Sequence, residues 1–226
     1  MKKNQVVSLS ILLSLFFLVQ SIKGQVKIGI YTGYSLSSFE AQDGSSDMLP
    51  IGFQAYYSLE NAGVANFNFG LDFNYSVVPF SFEMTTNSGT VLFTRKQKQL
   101  YMGALIKIKF LNASLFNPYV RLGMGLYSGG HSLEYPDAIK QEAQQKQVSL
   151  PAELDISSGF GFNFGAGLDY KLTETTGIFT EFVYHINSRE INESPLNVFQ
   201  GLNLQKSSLG FNNWAILVGF QAGFKF

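Results

Sequence analysis

The sequence predicts an all-β protein, an eight-stranded antiparallel up-and-down transmembrane β-barrel with short periplasmic turns and long extracellular loops. Three observations predict this fold. Eight segments alternate apolar and other residues with period two, their connections alternate between short and long, and the apolar face carries no charge. The clearest segment is 67–77, where every second residue is Phe, Leu, Tyr or Val and the residues between are Asn, Gly, Asp or Ser.

The eight segments define the predicted strands. They span about 26–37, 51–59, 67–77, 100–110, 119–128, 160–171, 178–186 and 214–226. The fourth strand could also begin several residues before 100. The long connections are then 38–50, 79–99, 129–159 and 187–213. Within 129–159, Pro136 suits a first helical position and helix-forming residues follow it, so we expect a short surface helix there.

Composition excludes several classes of protein. Only 14% of the 226 residues are charged, against roughly 25% in typical soluble domains, and 15% are aromatic. Sixteen basic and sixteen acidic side chains give no basic excess for nucleic acid. The chain has no cysteine, which excludes disulfides, cysteine-ligated metals and a cysteine nucleophile. We expect no cofactor and no metal.

The N-terminal segment is predicted to be a secretory signal peptide over 1–24, followed by one barrel domain over 25–226. Lys2 and Lys3 precede an apolar run at about 6–19, and small residues follow it. Cleavage after Gly24 is favoured, with Ser21 as the alternative site. A membrane-anchoring helix is the other interpretation, but the run falls short of the ~20 residues that a span needs.

A soluble barrel with an apolar interior is the main alternative fold. There the second face would meet water, yet in these strands that face is rich in glycine and carries few charges. Small residues suit the narrow interior of an eight-stranded barrel. The apolar face is therefore expected to contact lipid, where a Lys or Arg at mid-bilayer would cost ~2–4 kcal/mol.

The stretch GFNFGAGLDYKLTETTGIFTEFVYHI and the closing strand resemble the small outer-membrane β-barrel proteins of Gram-negative bacteria, and more narrowly the porin-family barrels of Bacteroidota. The resemblance implies export to the outer membrane, contact with its lipids, and recognition of the final strand by the barrel-assembly machinery. The residues expected to carry that assembly signal are Trp214, Phe220, Phe224 and Phe226.

Charged residues on the inward face form the main candidate site. Counting along the strands places them at similar depth toward the periplasmic end, where buried charges need partners. We expect an internal salt-bridge network that closes the pore; a gated proton or ion path is the alternative. The residues of this network are Asp72, Lys107, Lys109, Arg121, Asp169 and Glu181.

His185 is the only residue that suggests catalysis. Lipid A deacylases use a His with a Ser two residues later, but here Asn187 holds that position and Ser188 should face the other way. His131 is expected in a long loop without an evident partner. We therefore expect a non-catalytic, monomeric scaffold with surface-exposed loops whose partner is unknown. A narrow channel and a lipid-modifying enzyme are the alternatives.

Overall fold

The fold is a closed antiparallel barrel of eight strands, as predicted. A computed structural model describes residues 24–39, 45–59, 65–86, 89–110, 115–192 and 206–225. The barrel strands are β1 (Gly24–Phe39), β3 (Ile51–Leu59), β4 (Ala65–Thr86), β5 (Gly89–Phe110), β6 (Phe116–Glu134), β8 (Gly159–Lys171), β9 (Thr176–Asn192) and β10 (Lys206–Lys225). β1 pairs with β10 from Gln25↔Lys225 to Phe39↔Phe211, which closes the sheet.

Three further elements lie at the end of the barrel that carries the long connections. They are β2 (Ser45–Met48), which pairs with β1, β7 (Glu153–Asp155), which pairs with β6, and the helix α1 (Asp137–Gln145). The short helix is as expected, but it begins one residue later than predicted. Pro136 is its N-cap, because its φ of −59° and ψ of 154° are extended rather than helical.

Two of the predicted long loops are largely strand. β4 runs on to Thr86 and β5 begins at Gly89, so most of 79–99 is a hairpin extension; β9 likewise continues to Asn192 and β10 begins at Lys206. The alternation of the spanning segments does not continue in phase through these extensions, since Phe80, Phe82 and Met84 have the opposite parity to the apolar residues of 67–77. Only the contrast between lipid and lumen imposes one phase along a strand. The predicted signal peptide, apart from Gly24, lies outside the described residues.

The strand register fixes the tilt and width of the barrel. A row of paired residues can be followed from strand to strand once around the barrel. It starts on β1 at Leu36 and returns to β1 at Val26, and this offset of ten residues is the shear of the barrel. With about 3.3 Å per residue and about 4.8 Å between strands, that shear gives a tilt of about 41° and a radius of about 8 Å. The row is Leu36, Trp214, Tyr184, Phe164, Leu122, Ile106, Phe69, Tyr57 and Val26.

The same geometry gives each residue a height along the barrel axis. Each residue along a strand changes the height along the axis by about 2.5 Å. Each step from one strand to its neighbour along the row changes the height by about 3 Å. The outward aromatic side chains then fall into two bands. The outer band lies about 19–22 Å above Val26 and consists of Tyr34, Tyr75, Tyr184 and Trp214. The inner band lies within about 3 Å of the height of Val26 and consists of Tyr57, Tyr170 and Phe224. The two aromatic bands are thus about 20 Å apart, close to the apolar height of a transmembrane barrel.

Apolar side chains cover the outer surface between these bands. Leu122 is 54% exposed and Ile30 is 64% exposed, and among the described residues none that faces outward between the bands is charged. No helix in the described part of the chain has the length and hydropathy of a membrane span.

Candidate functional site

The six predicted network residues all lie inside the barrel and are buried. They come from β4, β5, β6, β8 and β9, at positions that alternate with the outward apolar residues. Lys107 and Arg121 are direct cross-strand partners on β5 and β6. Glu181 on β9 is opposite Gly167 on β8, where the missing side chain leaves room for the ring of Tyr119.

Glu181 is the centre of the network. Its Oε1 accepts hydrogen bonds from Lys107 Nζ at 2.5 Å and from the Tyr119 hydroxyl at 2.7 Å. Its Oε2 accepts from Arg121 Nη1 and from Gln54 Nε2, the latter at 3.2 Å. The side chains of Lys107, Arg121 and Glu181 are 0% exposed. Both carboxylate oxygens are therefore fully satisfied, as a buried charge requires.

Arg121 links Glu181 to the second carboxylate of this tier. Its Nη2 donates to Asp72 Oδ2 at 2.6 Å and to Asn163 Oδ1 at 3.0 Å. Asp72 also accepts from the Tyr31 hydroxyl at 2.7 Å. Two acids and two bases thus share one hydrogen-bonded cluster across the middle of the lumen.

Lys109 and Asp169 form a separate pair closer to the end with the short turns. From the register they lie about 2–3 Å above Val26, whereas the tier around Glu181 lies about 7–14 Å above it. Aromatic rings separate the two tiers: Lys107 Nζ is 4.7 Å from the Tyr119 ring centroid and 5.0 Å from that of Tyr56. The predicted residues therefore form two tiers rather than one.

Inward tyrosines are the part of the site that the sequence analysis did not find. Tyr31, Tyr56, Tyr101, Tyr119 and Tyr127 are all buried in the lumen. Asn163 Nδ2 donates to the Tyr101 hydroxyl at 2.8 Å. Their places in the alternation were a usable signal, since Tyr31 falls between the outward residues Ile30 and Thr32.

His185 and Ser188 do not form the paired arrangement of a hydrolytic site. His185 is buried and shares a hydrogen bond of 2.8 Å with the Tyr127 hydroxyl, whereas Ser188 is exposed on the opposite face of β9. His131 was expected in a loop without an evident partner, but it lies in β6, is 1% exposed and is not without a partner. Within the described residues, no group of His, Cys, Asp or Glu is placed to hold a metal ion.

The expected assembly residues lie on the closing strand. Trp214, Phe220 and Phe224 face outward and are 44–51% exposed, and Trp214 stacks on Phe182 at 4.8 Å between ring centroids. Phe226 lies outside the described residues.

Comparison with known proteins identifies the family. The family model described as "Outer membrane protein beta-barrel domain" matches residues 7–222. The chain belongs to this family. Membership implies that this outer-membrane barrel resides in the outer membrane of a Gram-negative bacterium, with its long connections outside and its short turns in the periplasm.

Solved structures share the fold of this outer-membrane barrel. Neisserial surface protein A aligns with a TM-score of 0.54 and 12% identity, covering 89% of this chain and 97% of the other. The outer membrane protein OprG from Pseudomonas aeruginosa aligns with a TM-score of 0.54 and 15% identity, covering 91% and 97%. No curated protein matches the chain in sequence.

Proposed function

We propose that this outer-membrane barrel is a non-conducting, non-catalytic scaffold that holds a folded extracellular layer for a partner to bind. The observation that carries the proposal is the tier of buried ion pairs around Glu181, which spans the lumen at mid-height. A barrel of eight strands and about 8 Å radius has an interior only just wide enough for side chains. Opening a path there requires breaking ion pairs whose side chains are fully buried.

The described part of the extracellular layer supports the second half of the proposal, because its apolar side chains are packed. Leu133, Ile139, Leu154 and Ile191 are buried beyond the outer aromatic band. The chain between β6 and β8 is also fastened to the barrel: the amide of Leu133 donates to the Ala152 carbonyl at 2.9 Å. A fixed surface of this kind suits partner binding, since little order is lost when the partner binds.

Export and assembly belong to the same proposal. The basic start and apolar run predict a signal peptide removed after Gly24, and N-terminal sequencing of the mature protein tests that site. The outward aromatics of β10 are proposed as the signal read by the barrel-assembly machinery. Replacing Phe224 with Ala should lower the yield of inserted protein, as measured by heat-modifiable gel mobility. The same change at Phe162, also outward and 55% exposed but on β8, is the control.

Conductance in planar bilayers tests the closed lumen. Purified barrel whose insertion has been checked by heat-modifiable mobility should give no current steps. The double variant Arg121→Ala with Glu181→Ala removes one base and one acid, keeps the net charge and should give steps. Stable steps from the wild type would overturn the proposal and favour a narrow channel for ions or small solutes.

A further inference from the structure

A polar cavity of about 450 Å³ opens at the periplasmic end of the lumen. It lies below the tier around Glu181, and the Lys109–Asp169 ion pair is part of its lining. The remaining wall includes three charged side chains, Lys27, Lys171 and Glu174, and amide side chains from four barrel strands, Gln25, Asn66, Asn117 and Gln221. The volume lies in the range of small-molecule sites.

Buried polar atoms in this lining lack partners. Gln25 is 3% exposed and its Nε2, a donor, makes no hydrogen bond. Asp169 is 2% exposed; its Oδ2 accepts from Lys109 Nζ, but its Oδ1 accepts nothing. Asn66 Oδ1 is a second acceptor without a donor. Most buried polar groups in folded proteins are hydrogen-bonded, so three such atoms around one cavity point to a ligand.

The chemistry of these atoms selects the class of ligand. The lining also carries Lys27, Lys171 and Glu174, so with Lys109 and Asp169 it holds three bases and two acids. Neither an anion nor a cation would therefore meet charges of one sign only. A hydroxyl group both donates and accepts, so it pairs with Gln25 Nε2 as readily as with the two oxygens. Leu115 and Leu172 are exposed residues of the same lining and offer apolar contact to the C–H face of a sugar ring.

We propose that this cavity binds a neutral polyhydroxylated ligand, a mono- or disaccharide, from the periplasm. The lumen above it is filled by the ion pairs around Glu181, so the ligand enters and leaves through the periplasmic mouth. The site therefore binds the sugar without transporting it. The absence of transport rests on the closed lumen proposed above. The binding itself does not, because a channel with the same periplasmic mouth would also bind the sugar.

Saturation-transfer NMR with the mature barrel in detergent micelles tests the site. Glucose, maltose and N-acetylglucosamine are the probes, with acetate, methylammonium and glycinamide as comparators. At least one sugar should receive saturation at millimolar concentration, and the three comparators should receive none. If none of the three sugars receives saturation, the proposal is overturned. Binding of glycinamide instead would assign the cavity to a peptide-like ligand.

Matched variants separate this site from non-specific contact. Gln25→Leu and Asn66→Leu each remove a free polar atom from a different strand and should weaken sugar binding about tenfold. Gln97→Leu makes the same chemical change at a 1% exposed residue near the extracellular end, outside the cavity, and should leave sugar binding unchanged. Each variant is measured only after heat-modifiable mobility shows that it has folded. Equal binding by all three variants would overturn the assignment.

Discussion

Replacing Glu181 with Gln tests the buried network at its centre. The substitution keeps the shape of the side chain and removes its charge, which leaves Lys107 without its anion and Arg121 with Asp72 alone. The new amide group also places N–H hydrogens where Glu181 accepted hydrogen bonds, so one of its donors then faces another donor. Breaking a buried ion pair by removing one partner costs about 3–5 kcal/mol, so we expect a loss of that size in the free energy of unfolding.

The variant Asp72→Asn provides the matched comparison. It removes a carboxylate of the same tier, but Arg121 and Lys107 both keep Glu181 as their anion. What is lost is one charge-assisted bond from Arg121 and the charge that accepts the Tyr31 hydroxyl, for which about 1–3 kcal/mol is expected. The expected order of the two variants follows from the number of charged and neutral partners that Glu181 holds.

Urea unfolding of barrels inserted in lipid vesicles measures both losses. Trp214 is the single tryptophan of the chain and leaves the lipid when the barrel unfolds, so its emission follows the transition. With an m-value of about 2 kcal/mol/M, Glu181→Gln should lower the midpoint by roughly 2 M. Adding Lys107→Met to it should cost less than the sum of the two single changes. A midpoint for Glu181→Gln equal to the wild type, or above that of Asp72→Asn, would refute the reasoning.

Three further predictions concern the barrel wall. At Gly167 an added Cβ would lie 2.4 Å from the Tyr119 ring, so Gly167→Ala should destabilise the barrel by about 1–3 kcal/mol, whereas Gly130→Ala, with nothing within 4 Å, should be neutral in the same urea titration. Leu122→Arg places a charge near mid-membrane and should cost about 2–4 kcal/mol of insertion stability, against about 0–1 kcal/mol for Leu172→Arg in the periplasmic turn. Trp214 should be quenched more strongly by lipids brominated near the headgroup than by lipids brominated near the chain end; the reverse order would contradict the height derived from the register.

The membrane-spanning part of the fold was readable from the sequence for a physical reason. Lipid outside and a packed lumen inside force every strand to alternate, so parity alone assigned Glu181 inward and Phe182 outward. Beyond the outer aromatic band that constraint ends, and the alternation does not continue in phase: Phe80, Phe82 and Met84 alternate on the opposite parity to the apolar residues of 67–77. Pro79 opens the predicted connection 79–99 but lies within β4, although proline lacks an amide hydrogen. It is tolerated since the pairing of β4 with β3 stops at Tyr75, which leaves Pro79 paired with β5 alone.

The candidate site was readable only as a set of residues. Parity placed the six charges in the lumen, but it could not supply their partners or the neutral groups that complete their hydrogen bonds. Tyr119 and Gln54 both donate to Glu181 from strands on different sides of it. Such contacts across the lumen connect residues far apart in the chain, and no local pattern encodes them.

The shear of the barrel decides which charges meet. Counting from the strand ends gave Asp169 and Asp72 similar depths, so either could have paired with Arg121. The observed register separates them by about 10 Å along the axis, with Arg121 and Glu181 near Asp72, and Lys109 near Asp169. A slip of two residues between β6 and β8 would keep every side chain on its face and still shift one half of the network by about 5 Å, breaking the bonds between them. The ion pairs are therefore specific to one register, and they help to select it from alternatives that the apolar pattern alone allows.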